Sequence, residues 1–287
     1  MAIVGPTAGG KTAYSIELAR ALRDAGRTPE ILNADSRQLY RGMDIGTAKI
    51  TREEMQDIPH HLLDLLNPDQ ELTASWYRDR AVETMTDIHE RGDVPMLVGG
   101  SMLYVSAVTD GLQFAPAADP GVRERLSQEY DADCGAALYA RLQEADPETA
   151  SAFDRANKPY VLRALEIMET TGEKPSVARR TGEVPYDVLM LGIERPRDEL
   201  QRRITSRVPE LLRRGWVDEV RALRDAGYSA EDPGMKSHGY REILEYLEHD
   251  GDEDALAKAI AVKSRQYAKR QLTWWRPDAR IRWITPD

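Results

Sequence analysis

Apolar positions fall along this chain in two rhythms, short unbroken runs and helical stripes, and their order is the first clue to the fold. Ala2-Ile3-Val4 is a brief apolar run, after which Ala13, Ile16, Leu18, Ala19 and Leu22 recur at helical spacing until Gly26 ends the pattern. Pro29 to Ala34 reads as a second strand and the fully apolar Val94 to Val98 as a third. Residues 40–72 between them are loop-rich, with Pro59-His60-His61 and Asn67-Pro68 as breakers. A helix is predicted from about Ala74 to Arg91, with Trp76, Ala81, Met85 and Ile88 inward and Gly92 as its stop. Strands separated by helices predict βαβ units and a parallel sheet.

The pattern changes at Phe114. Ala115 to Pro120 reads as a linker, and helical periodicity then runs to about Gly182, with turn signals at Asp146-Pro147 and Lys158-Pro159. Val188 to Ile193 returns to strand, amphipathic helices follow near 197–214 and 216–226, and Arg280 to Ile284 reads as a last strand. The expected organisation is an α/β core begun by residues 1–114, a helical insertion over 115–182, and completion of the core with further helices over 183–287.

The first turn of this pattern carries chemistry. Gly5-Pro6-Thr7-Ala8-Gly9-Gly10-Lys11-Thr12 fits G-x-x-x-x-G-K-[ST], and it lies between a strand and a helix as the motif requires. Such a loop turns backbone N–H groups around an anion, the helix N-terminus adds partial positive charge, Lys11 adds a full one, and the Thr12 hydroxyl is offered to Mg²⁺. The loop indicates a polyphosphate without saying which one or what is transferred.

Asp35-Ser36-Arg37-Gln38 stands just past the second strand, where open parallel sheets bind ligands. Asp35 can serve as a general base or as a turn cap, and its place one strand from the phosphate loop favours the base. The third strand runs into Gly99-Gly100-Ser101 with no carboxylate, unlike NTPases that hold Mg²⁺ and a hydrolytic water there. Its glycines allow close backbone approach and Ser101 supplies a hydroxyl. Arg163 and Glu166 stand at helical spacing, either as a surface pair or with the arginine directed at a pyrophosphate.

The chain of 287 residues has a net charge of −10, which argues against a generally sticky nucleic-acid binder but permits local basic patches. Two patches exist: seven arginines against three acids from Arg195 to Arg214, and six basic residues with no acid from Lys258 to Arg276. In the second, Lys258, Arg265 and Lys269 share one helical stripe closed by Trp274-Trp275, a solvated face on the bland reading and a nucleic-acid footprint on the sharper one. The five histidines make no metal site, and His60 or His61 is expected to play a structural part beside Asp64. Cys134 is the single cysteine, the first strand begins at residue 2, and no long apolar run occurs, so a cytoplasmic protein without signal peptide or membrane span is expected.

Taken together, the phosphate loop, Asn-Ala-Asp-Ser-Arg-Gln-Leu-Tyr (33–40), Gly-Met-Asp-Ile-Gly-Thr-Ala-Lys (42–49), Pro-His-His-Leu-Leu-Asp (59–64), Leu-Val-Gly-Gly-Ser-Met-Leu-Tyr (97–104), Arg-Ala-Leu-Glu (163–166) and Ala-Lys-Arg-Gln-Leu-Thr-Trp (268–274) resemble the bacterial tRNA dimethylallyltransferase family, which modifies adenine 37 beside the anticodon. The resemblance implies a P-loop core like that of nucleotide kinases, with a parallel sheet flanked by helices and an inserted helical subdomain. It implies dimethylallyl diphosphate, Mg²⁺ and the tRNA anticodon stem-loop as ligands, and a monomer is expected. Asp35 matches the family's general base and Ser101 a hydroxyl near the reacting centre, with Lys11 and Arg163 placed for the pyrophosphate. The implied RNA contacts are Asp35, Ser36, Arg37, Gln38, Ser101, Arg123, Lys236, Gly239, Tyr240, Arg241, Lys269 and Arg270, to which the basic stripe adds Arg265. Ser101 stands where the family usually has Thr, Gly9 where Ser is more usual, and Pro159-Tyr160 where basic residues are common. Three rivals stay open on the residues alone: an adenylate isopentenyltransferase, a P-loop small-molecule kinase, and a non-catalytic RNA-binding protein with a vestigial loop, against which the intact Lys11, Thr12 and Asp35 speak.

Overall fold

The computed structural model describes residues 1–115, 120–178, 182, 184, 186–249 and 251–286. Residues 116–119 of the expected linker lie outside these. The chain divides into two compact units, one of Met1–Thr109 with Tyr186–Asp287, the other of Asp110–Pro185.

The first unit begins with β1 (Ala2–Val4), α1 (Lys11–Asp24), β2 (Pro29–Asn33), β3 (His60–His61), α2 (Ala74–Glu90), β4 (Val94–Val98) and α3 (Met102–Thr109). The second unit holds α4 (Pro120–Asp133), α5 (Ala136–Ala145), α6 (Pro147–Ser151), α7 (Lys158–Thr171) and α8 (Pro175–Ala178). The first unit then resumes with β5 (Met190–Ile193), α9 (Arg197–Arg213), α10 (Trp216–Asp225), α11 (Tyr240–His249), α12 (Glu253–Trp275) and β6 (Ile281–Ile284).

The strands form one parallel sheet in the order β3-β2-β4-β1-β5-β6. Alternation along each strand splits its apolar side chains between two faces. Ile3, Ile31, Met96 and Ile193 pack with Ile16 and Ala19 of α1, while Ala2, Val4, Leu32, Leu97 and Met190 pack with Tyr77, Ala81 and Ile88 of α2 and Val105 of α3. A further core lies among the C-terminal helices, where Val208, Leu211, Trp216, Val220, Ile243 and Ile260 meet.

Three local expectations are corrected. His60-His61 forms the edge strand β3 instead of breaking the chain, with His60 opposite Ile31 and His61 opposite Leu32. Two residues are too few to show alternation, and the strand exists because β2 offers its free edge to it. The histidines also do not sit on Asp64: His61 Nε2 lies 2.6 Å from Oε2 of buried Glu30, and Asp64 pairs with Lys49 at 2.5 Å. On α2 the inward aromatic is Tyr77, fully buried, while Trp76 is half-buried. The Tyr77 hydroxyl donates to Asn33 O at 2.8 Å and its ring stacks on Tyr104, which selects it for the interior.

In the second unit, Leu126, Leu138, Leu142, Val161 and Leu165 form the core. Asp146 caps α6 from a buried position, accepting from Thr149 N at 3.1 Å, Thr149 Oγ1 at 2.7 Å and Ser176 N at 2.8 Å. Burial alone would raise its pKa, but these donors outweigh burial and pull it from 3.8 to about 2. A carboxyl depressed in the folded state stabilises above its unfolded pKa and loses that contribution as pH falls through the folded value. Asp146→Ala is therefore expected to cost about 1–2 kcal/mol in urea unfolding at neutral pH. The difference from the parent protein should shrink as pH drops from about 4 toward 2; a difference independent of pH would contradict the cap.

Candidate active site

Three loops meet at the C-terminal edge of the sheet, because in a parallel sheet the chain leaves every strand on the same side. Gly10, with φ +101°, turns the loop after β1 into α1, a backbone that a side chain would strain. No side chain caps α1 and no acid stands in its first turn, so its free N–H groups face the loop without a competing anion. Lys11 Nζ folds back onto the loop, donating to Gly5 O at 3.1 Å and Pro6 O at 2.9 Å. Burial draws the Lys11 ammonium down to about 8, with Asp35 opposing the shift and Arg207 adding to it.

Asp35 follows β2. Asn33, buried, holds its backbone by accepting from Asp35 N at 2.9 Å and donating to Asp35 O at 3.0 Å, and it also reaches Leu62 O. Oδ1 of Asp35 accepts from Arg37 N at 3.0 Å, so the residue caps its own turn. Among the described residues no hydrogen bond engages Oδ2. Ser101 Oγ accepts from Ser36 N at 2.8 Å and thereby ties the loop after β4 to the Asp35 loop. This close approach requires Gly99, where a Cβ would lie 2.1 Å from the Ala34 carbonyl.

Two adjoining cavities open along these loops. One, of about 460 Å³, is lined by Lys11, Arg203, Arg207 and Arg214 against Asp35, Glu54 and Glu210, with Thr12 and Gln38 between them, and so carries a small excess of positive charge. The other, of about 330 Å³, has an apolar floor of Ile204, Val208, Leu211 and Ile260 and a polar rim that includes Ser36, His238, Tyr267 and Arg270. Asp35, Thr47 and Arg207 border both. Burial lowers the pKa of His238, against the pull of Glu242 and Asp35, so a neutral imidazole stands beside the Tyr267 ring.

Of the residues singled out from sequence, Ser36, Arg37, Lys236, Tyr240 and Arg270 line the apolar-floored cavity with Asp35, and Thr7, Ala8, Gly9, Gly10, Lys11, Thr12 and Gln38 line the cationic one. Gly239 presses on Trp216, Arg241 is exposed and pairs with Glu245, and Arg265 reaches Thr205 Oγ1 at 3.3 Å on α12, where Lys269 is exposed. Arg123 and Arg163 belong to the second unit, where both pair with the fully buried Glu166. Trp275 does not extend the exposed aromatic face: it is 1% exposed, whereas Trp274 is 47% exposed.

Residues 38–278 match the family model described as IPP transferase. The chain belongs to that family. It is 41% identical over 285 residues to a tRNA dimethylallyltransferase of Geobacter sulfurreducens, covering 98% of this chain and 90% of the relative. It is 43% identical to one of Thermobifida fusca, covering 100% and 90%. Among solved structures, the full-length tRNA isopentenylpyrophosphate transferase of Bacillus halodurans matches with TM-score 0.72 and 39% identity, over 99% of this chain and 88% of that one. A eukaryotic dimethylallyltransferase acting on tRNA matches with TM-score 0.81 and 26% identity, over 95% of this chain and 68% of that one.

For this IPP transferase chain, sequence reasoning passed over three groups. The arginines of 195–214 stand out in the sequence only as a basic stretch, and the structure turns several of them to the phosphate loop: Arg203 Nε donates to Ala8 O at 3.1 Å, Arg195 Nε to Gly9 O at 3.4 Å, and Arg207 borders both cavities. Their spacing held part of the signal, since Arg203 and Arg207 stand at i,i+4 on one face of α9. Gln271, 1% exposed on α12, accepts from Thr7 N at 2.7 Å and donates to Gly100 O at 2.8 Å, a long-range bridge with no local signal. Trp216 forms part of the wall, and nothing near it in the chain marks that role.

An anion bound in the loop favours charged Lys11. Because the free group titrates near 8, affinity for inorganic pyrophosphate should fall as pH rises through that value. The loss approaches about tenfold per pH unit for one linked proton. Calorimetric titration across this range, with Lys11→Met run alongside to remove the part due to ionisation of pyrophosphate itself, should show the dependence in the parent protein alone.

Proposed function

We propose that this protein transfers the dimethylallyl group of dimethylallyl diphosphate to N6 of adenine 37 in tRNA, releasing diphosphate. The reading rests on membership of the IPP transferase family and on one feature of the site: a carboxylate, Asp35, stands where a cationic cavity adjoins one with an apolar floor. The cationic cavity suits a diphosphate, and the apolar floor with its aromatic and polar rim suits an extruded purine and the prenyl chain.

The N6 amine is a weak nucleophile because its lone pair is delocalised into the ring. Asp35, with Oδ1 holding its own turn, accepts the N6 proton on its other oxygen. The N6–C1 bond forms as the C1–O bond breaks, and the electron pair of that bond leaves with the diphosphate. Lys11, Arg207 and the uncapped N-terminus of α1 are placed to take up its growing charge. The apolar floor keeps water from the allylic carbon, where positive charge builds. Thr12, exposed in the first turn of α1 on the wall of the same cavity, fits Mg²⁺ held mainly through substrate oxygens and water, which needs no cluster of protein carboxylates. The ion, when bound, neutralises diphosphate charge.

The target base leaves its stack at a cost of a few kcal/mol. The exposed basic residues of α12, Lys258, Lys263, Lys269 and Arg270, supply a salt-sensitive grip on the RNA backbone. Arg123, exposed where it pairs with the buried Glu166, offers a further contact for phosphate oxygens. A kinase reading lacks its acid, since Gly99 and Gly100 take the position after β4 in close packing.

Incubation with anticodon stem-loop RNA, Mg²⁺ and dimethylallyl diphosphate is expected to add one C5H8 to the adenine by mass spectrometry; prenylation of free AMP with no change in the RNA would reject the reading. Asp35→Asn should lower kcat by about 10²–10⁴-fold while RNA affinity stays within a few-fold, and an equal loss of both would reassign Asp35 to binding. Arg265→Ala should weaken RNA binding and flatten its salt dependence by about one unit of slope, with affinity for the prenyl donor unchanged.

A further inference from the structure

The segment 43–48 forms the wall shared by both cavities. Gly46 and Thr47 face the apolar-floored cavity, and Thr47 and Ala48 the cationic one. It contains no helix or strand, so its position depends on what receives its backbone hydrogen bonds. Glu219 of α10 receives three in succession: Asp44 N at 2.8 Å and Ile45 N at 2.6 Å on Oε2, and Gly46 N at 3.1 Å on Oε1. The Tyr240 hydroxyl donates to the same Oε1 at 2.6 Å. Three consecutive backbone donors are thus taken up by one carboxylate, which a buried phenol also holds. Successive N–H groups converging in this way make an anion receptor, and here the anion is the protein's own.

The opposite side of the segment is tied to the reacting carboxylate. Gln38 Nε2 donates to Thr47 O at 3.2 Å and Ala48 O at 3.4 Å, and Gln38 N donates to Asp35 O at 3.2 Å. Trp216 fills the space beneath, so close that a Cβ on Gly46 would lie 2.0 Å from its indole nitrogen. The phosphate loop is held by other groups, Gln271, Arg195 and Arg203, none of which runs through Glu219.

We propose that Glu219 is a positioning residue for the transfer: oriented by Tyr240, it fixes the N–H groups of residues 44–46 and so sets the shared wall at its distance from Asp35. The inference rests on the transferase reading given above. Charge is used because a carboxylate offers four lone-pair directions at a single point, and hydrogen bonds to it are about twice as strong as neutral ones. Glutamine keeps the shape but replaces one acceptor oxygen with a donor that faces backbone N–H groups.

The test uses the full chain. Glu219→Gln should lower kcat at saturating RNA and prenyl donor by at least about tenfold, toward the roughly 100-fold that a misplacement of about 1 Å can cost. Its affinity for inorganic pyrophosphate should stay within about twofold, because the loop's supports are independent of Glu219. Amide exchange followed by mass spectrometry should quicken over residues 43–48. Gly46→Ala, which displaces the wall against Trp216 with Glu219 intact, should reproduce the fall in kcat at unchanged pyrophosphate affinity. Asp218→Asn, on an exposed neighbour paired with Arg221, should leave all three readouts as in the parent. A variant that keeps its kcat, loses pyrophosphate affinity in parallel with kcat, or shows unaltered exchange over 43–48 overturns the role of Glu219. A parent protein that leaves the RNA unmodified overturns the transferase reading and the positioning role with it.

Discussion

A single buried amide holds the site in register. Gln271 grips the phosphate loop through Thr7 N and the loop after β4 through Gly100 O, and it projects from the same helix that carries the exposed basic face. Both ends of the amide are satisfied away from water, where an unpaired end would cost about 1–3 kcal/mol. Among the described residues of the first unit, no other side chain hydrogen-bonds the phosphate loop and the loop after β4 from the basic helix. The edge itself is assembled by backbone proximity, with Gly99 against Ala34 and Gly100 against the Gln271 amide, and side chains at those glycines would force the loops apart.

Electrostatics follow from that packing. The chain carries a net charge of −10, yet the cavity beside the phosphate loop gathers Lys11, Arg203, Arg207 and Arg214 against three carboxylates, Asp35, Glu54 and Glu210. Removing Lys11 from water weakens its hold on a proton, and a neighbouring guanidinium weakens it further. The site is thus cationic at a desolvation cost, which an incoming diphosphate relieves by supplying the missing counter-charge. A strongly acidic surface elsewhere does not oppose RNA binding at short range, because charges farther apart than about 10 Å are largely screened at ordinary salt.

The local half of this arrangement was legible in the residues. The phosphate loop announces itself because its glycines, lysine and threonine act at fixed spacing on one turn of backbone, and β1, β4 and Asp35 could be placed by apolar runs and their ends. What the chain order conceals is which distant side chain completes a local motif. Gln271 lies 264 residues from Thr7, and Glu219 lies 173 residues from Gly46; neither carries a pattern of its own. Arg207 is visible in the sequence only as one arginine in a basic run, because periodicity locates a face without naming what it packs against. β3 escaped for the opposite reason, since two residues borrow their strand character from a neighbour.

Asp35 shows why the structural and chemical readings of one residue need not compete. Its Oδ1 is engaged by the N–H of Arg37, and its backbone is held on both sides by Asn33. A side chain fixed in this way loses little rotational freedom on meeting a substrate, and in the proposed transfer the oxygen left for the proton is set in direction beforehand. The same turn that a capping aspartate makes for stability alone would thus aim the proposed base. The wall opposite is held by Glu219, a carboxylate used for its hydrogen bonds: it is saturated with donors and holds backbone, whereas Asp35 keeps an oxygen unspent. That difference in donors supports Asp35 over Glu219 as the proton acceptor of the proposed transfer.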